Sequence, residues 1–141
     1  MIASFAVGAV LVSAGPVLGM RPVDPPRRAA LAAALLPPLV GLALVASLAL
    51  HMHASLGGWP ETIGMRGFPS ELVLHAEVAW FAFGSLLLAC LFVWPVALLL
   101  CLAAPRLRPG LPYLGAFAAA CLVGALLMQV LPERFLYWWW D

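Results

Sequence analysis

HMHASLGGWPETIGMRGFPSELVLHAE, residues 51–77, lies between two long apolar runs, and its reading decides the fold. It holds all three histidines (His51, His53 and His75) and three of the six acidic residues, Glu61, Glu71 and Glu77. Gly57-Gly58, Trp59-Pro60, Gly64, Gly67 and Pro69 punctuate its first two thirds so densely that a loop is expected over 51–69. Beyond Pro69, Ser70 is placed to cap a new helix, with Glu71 in its first turn near the positive dipole end.

Outward from this stretch the chain is apolar. At 141 residues it has the length of one domain, yet it is 65% hydrophobic and only 9% charged, with a mean hydropathy of +1.07. A soluble domain of that size cannot hide so much apolar surface, so lipid is the solvent the composition calls for. The net charge of +1 offers no basic patch able to neutralise phosphates, which argues against nucleic acid as a partner. All seven basic residues are Arg, and Lys and Asn are absent, a bias that suggests a GC-rich bacterial coding sequence.

Four spans follow. Residues 2–19 form the first apolar run, with no charge ahead of it and Arg21, Arg27 and Arg28 behind it. A secretory signal carries its positive charge first, so a retained helix with its N-terminus outside is expected, ended or bent near Pro16. A Pro-rich connector leads to residues 29–50, long enough for the roughly 20 residues of a span and carrying Pro37-Pro38, where a kink is expected. The run 71–104 is longest, with a span at about 72–104. As a straight helix it reaches about 50 Å, so it must tilt, bend at Pro95 or protrude from a hydrocarbon layer of ~30 Å. Trp80 marks the expected interface, which leaves Glu71, His75 and Glu77 in headgroups or water. Residues 111–131 make the fourth span, with Ala116, Ala120 and Gly124 repeating every four residues, a stripe that admits a second helix. The tail, 132–141, ends in Trp138-Trp139-Trp140 and reads as an interfacial anchor.

The expected fold is therefore all-α, a four-transmembrane-helix bundle forming one integral membrane domain, with a Gly/Pro-rich external loop between helices 2 and 3. Three Arg fall in the first connector, one (Arg66) in the second and two in the third. The positive-inside rule then places both termini and the histidine loop outside, in a bacterial inner membrane.

The chemistry-bearing residues gather at that outer face. His51, His53, His75 and Glu77 are the candidate ligands for a metal, since neutral imidazoles with a carboxylate suit Zn²⁺ or another first-row ion. A haem held between histidines of two helices is the rival cofactor. Against both stand the i,i+2 spacings of His51/His53 and His75/Glu77, which point side chains about 200° apart on a helix. Solvated polar helix ends, with a Glu71–His75 pair at i,i+4, account for the same residues without a cofactor. No GxSxG, HExxH, P-loop or dinucleotide fingerprint occurs, and no ionisable residue lies deep in a span as ion-coupled carriers require. Cys90, Cys101 and Cys121 form no CxxC and read as packing residues.

The stretch His53-Ala54-Ser55-Leu56-Gly57-Gly58-Trp59-Pro60, followed by His75 and Glu77, resembles small bacterial membrane proteins that carry a Leu-Gly-x-Trp-Pro loop between the second and third of four spans. The resemblance covers about a tenth of the chain, departs at Gly58 where a basic residue is expected, and implies topology alone. The function expected is that of a non-enzymatic accessory or assembly subunit, paired with a membrane-protein partner or a second copy through Ala116, Ala120 and Gly124. The alternative is a metal- or haem-binding membrane protein with its site at the external face.

Overall fold

The computed structural model describes residues 28–61 and 64–141. The first apolar run, its Pro16 and all but the end of the Pro-rich connector lie outside the described residues. Within them the chain is helical, with no strand. Helix α1 spans Arg28–Leu56, α2 spans Ser70–Leu88, α3 spans Trp94–Ala103, α4 spans Leu111–Met128 and α5 spans Glu133–Trp140. A π-helical turn, Ala89–Val93, joins α2 to α3, and a 3₁₀ turn, Pro105–Gly110, joins α3 to α4. Three rods, Arg28–Leu56, Ser70–Ala103 and Pro105–Met128, are long and apolar enough to cross a membrane.

Helix α1 runs through Pro37 and Pro38 and on to Leu56. Apolar surroundings favour that continuity, because a backbone polar group left outside a helix finds no water to bond. The expected loop therefore begins later than residue 51, and His51 and His53 stand on helix. Gly57, at φ +67°, ends it in the left-handed conformation that glycine adopts without steric cost. At the start of α2 the capping position belongs to Pro69 and not to Ser70. The Pro69 carbonyl takes the amides of both Leu72 and Val73 at 3.0 Å, and no side chain caps the turn.

Pro95 lacks the N–H that would bond the carbonyl one turn back. The π turn immediately before it absorbs that defect, so Ser70–Ala103 continues as a single rod of 34 residues. Trp94 at the same level donates its indole N–H to the Leu114 carbonyl, 3.0 Å away, tying α3 to α4. Helix α1 is central and packs on both α2 and α4.

The core sits toward one end of the rods. Val45, Leu48, Ala49 and Met52 of α1 meet Leu72, Ala76 and Ala79 of α2, and α5 closes over them with Phe135, Trp138 and Trp139. Those three occupy one stripe of α5 at i, i+3 and i+4, while Tyr137 and Trp140 remain exposed. The tail thus spends most of its aromatic surface on the core, where the sequence suggested an anchor in the membrane interface. The Trp138 indole donates to the Gly64 carbonyl at 3.0 Å, and its ring lies 5.9 Å from that of Phe68. Trp59 approaches Phe135 at 6.2 Å, so α5 clamps the 57–69 loop at both ends.

Candidate functional site

Two of the four sequence-selected ligands come together. His51 lies five residues before the end of α1, and His75 five residues into α2. Their Nδ1 atoms are 2.9 Å apart, with ring centroids at 5.2 Å. On its far side the His75 imidazole meets Ser47, with Nε2 3.1 Å from the hydroxyl oxygen. Ser47 in turn donates to the Leu44 carbonyl of its own helix at 3.0 Å.

That last bond fixes the rest. A serine has one hydroxyl hydrogen, and here the Leu44 carbonyl receives it. Ser47 Oγ then accepts, so His75 carries its hydrogen on Nε2. A neutral His75 therefore presents a bare lone pair at Nδ1, and His51 must donate from its own Nδ1. The remaining nitrogen, His51 Nε2, holds the open lone pair of the chain. The two rings cannot both be imidazolium, which would set N–H against N–H across 2.9 Å.

The other two candidates lie apart. His53 stacks toward Trp59, its ring 4.8 Å from the indole, and Glu77 is exposed on α2. Helix explains the separation: residues two apart point about 200° from each other, and neither helix frays to bring them round. His75 takes Ser47 and His51 as partners, and the Glu71–His75 pair expected from their spacing does not form. Among the described residues no group of three or more His, Cys, Asp or Glu is close enough to hold a metal by itself. A porphyrin does not fit between the facing rings as they stand. Two axial metal–nitrogen bonds of about 2.0 Å span about 4 Å, against the 2.9 Å observed.

Ser47 went unnoticed in the sequence. Its signal was there: it is the sole hydroxyl between residues 29 and 50, and it stands one helical turn before His51.

A second feature lies further along the rods. An apolar cavity of about 250 Å³ opens between α1, the α2–π junction and α4, lined among others by Pro38, Gly41, Cys90, Ala120, Cys121 and Gly124. Two of the three small residues of the α4 stripe, Ala120 and Gly124, are thus on its wall, and a side chain grown from Gly124 would meet nothing within 4 Å among the described residues. Cys90 and Cys121 touch there with sulfurs 3.7 Å apart, both as free thiols. Gln129 is the polar side chain at its rim.

No family model, no curated protein and no solved structure matches this chain.

Proposed function

We propose that this chain is a non-enzymatic accessory or assembly subunit of a bacterial inner-membrane complex, with its N and C termini outside. The observation that carries the reading is the open cavity on the flank of the rods. Its wall is small where α4 contributes Ala120 and Gly124, and small residues let a second helix backbone approach closely in lipid. A transmembrane helix of a partner protein, or of a second copy, would lie against the mouth of the cavity and send side chains into it. The Arg distribution of the connectors supports the orientation.

The test is association in native membranes. Chain extracted in mild detergent is expected to exceed one copy in mass, and Gly124→Leu, which enters free space within the subunit, is expected to weaken that association without lowering helix content. A chain that runs as a monomer, indifferent to Gly124→Leu, rejects the reading. Deleting the aromatic tail is the wrong probe, because Phe135, Trp138 and Trp139 belong to the core.

A second reading, a metal-binding membrane protein with its site at the external face, is favoured by a different observation. Imidazoles from two separate helices share a hydrogen bond between their Nδ1 atoms, which brings two nitrogen donors to one point.

A further inference from the structure

The Ser47–His75–His51 chain has the parts of a metal site in miniature. A histidine that ligates a metal through one ring nitrogen nearly always donates from the other, which fixes its tautomer and orientation. His75 does this: Nε2–H is spent on Ser47, Ser47 is spent on Leu44, and the Nδ1 lone pair faces across the helix seam, where it accepts the His51 N–H. His51 meets it there, nitrogen to nitrogen.

We propose that His51 and His75 are the two protein ligands of a site for a divalent first-row cation of the Zn²⁺ class. The cation is held between their Nδ1 atoms, with water in the remaining positions. The inference rests on the metal-binding reading above and narrows it from four residues to two. His53 and Glu77 are not ligands, and Ser47 is the positioning residue.

Geometry selects the coordination. In a tetrahedral site with bonds of about 2.0–2.1 Å, two ligand nitrogens are about 3.3 Å apart. The observed 2.9 Å needs the rings to part by only about 0.4 Å. Linear two-coordination needs about 4 Å, and so a larger movement. The proton balance closes as well. His51 gives up hydrogen at Nδ1 and takes one at Nε2, remaining neutral, so the cation enters without net loss of a proton from either ring.

An approach from the outer end is also in place. Ser55 lies one turn beyond His51 on α1, and Glu71 one turn before His75 on α2; both are exposed. They carry the polar face of each helix from the site to the helix ends, and the Glu71 carboxylate sets a negative charge at the mouth. No third His, Cys, Asp or Glu among the described residues closes the shell. Two protein ligands leave two of four tetrahedral positions to water, and such positions are where an outside ligand enters.

The experiment uses the full chain in detergent, titrated with Zn²⁺ against a chromogenic chelator and, separately, with Co²⁺ as a spectroscopic probe. One equivalent per chain is expected, with the intense visible bands of tetrahedral Co²⁺. His51→Gln and His75→Gln, which keep a hydrogen-bonding side chain in the seam, are expected to abolish binding while retaining the helical spectrum. Ser47→Ala is expected to weaken it about 10- to 100-fold, the usual effect of removing such a partner. His53→Ala and Glu77→Gln are expected to leave it unchanged. The proposal is overturned by absence of saturable binding, by an octahedral Co²⁺ spectrum, by binding that survives His75→Gln, or by binding lost in His53→Ala or Glu77→Gln. Association through Gly124 is measured independently, so the subunit reading stands or falls apart from this one.

Discussion

The two ends of the rods are built on different principles. At one end, α5 and residues 57–61 and 64–69 close over α1 and α2, and Val45, Leu48, Met52, Leu72, Ala76 and Phe135 are wholly buried. Toward the other end, α3 and α4 pass one another with Leu98 and Cys101 as their buried side chains, while Phe92, Val93, Val96 and Leu99 are exposed. The end closed by α5 is packed like a small water-soluble domain. The other end relies on a surrounding apolar medium to solvate its side chains and on intrahelical bonds to satisfy its backbone. Stability should therefore be concentrated where the chain folds back on itself. Phe135→Ala removes the largest fully buried side chain and is expected to cost about 3–5 kcal/mol. Phe92→Ala, the same change at a ring 64% exposed, should fall within about 0.5 kcal/mol of the parent. Denaturant titration in detergent, followed by Trp fluorescence, measures both. Equal losses at the two sites would erase the distinction between the ends.

The clamp itself can be probed at its two hinges. Gly57 ends α1 at φ +67°, where a Cβ meets no other atom, so the cost of Gly57→Ala is that of the left-handed backbone alone, about 1–2 kcal/mol. Gly58→Ala, next to it in equally open space and without a positive φ, serves as the control and is expected to cost less. A smaller loss, about 1 kcal/mol, is expected for Trp138→Phe, which keeps the ring but deletes the N–H that holds the Gly64 carbonyl. Its distinguishing sign is local: faster proteolysis of the 57–69 loop, with the melting of α1 and α2 nearly unchanged.

Sequence patterning made the membrane rods legible, because a run of some twenty apolar residues has few other uses. Their boundaries beside the loop were less legible. Residues 51–56 look polar enough to be loop, yet His51 and His53 remain on α1, since helix is the cheapest way to satisfy backbone at an apolar border. The inward turn of the tail was hidden by the three consecutive tryptophans. They cannot share a face, and the informative spacing was Phe135 with Trp138 and Trp139. At the site, the i,i+2 spacing of His51 with His53, and of His75 with Glu77, points each pair to different sides of its helix. What one-dimensional spacing could not supply was the register between α1 and α2 that sets His51 against His75, 24 residues apart. The first apolar run, 2–19, lies outside the described residues, so the four-span count stays an expectation, beside three rods that can cross.

The smallest effect asks what faces the cavity. Glycine within a helix is less favourable than alanine by about 0.5–1 kcal/mol, through backbone entropy. Among the described residues a Cβ at Gly124 meets nothing within 4 Å, so Gly124→Ala should recover part of that in the isolated subunit and raise its stability by at most about 1 kcal/mol. Gly41, on the opposite wall, is the counter-case: its Cβ would come 3.4 Å from Leu86 Cδ2, and the gain should be smaller. The same Gly124→Ala substitution measured in native membranes should change sign, because a helix seated against the α4 stripe loses its close approach when a methyl group intervenes. A gain of equal size in both settings would mean that nothing but lipid lies against Gly124.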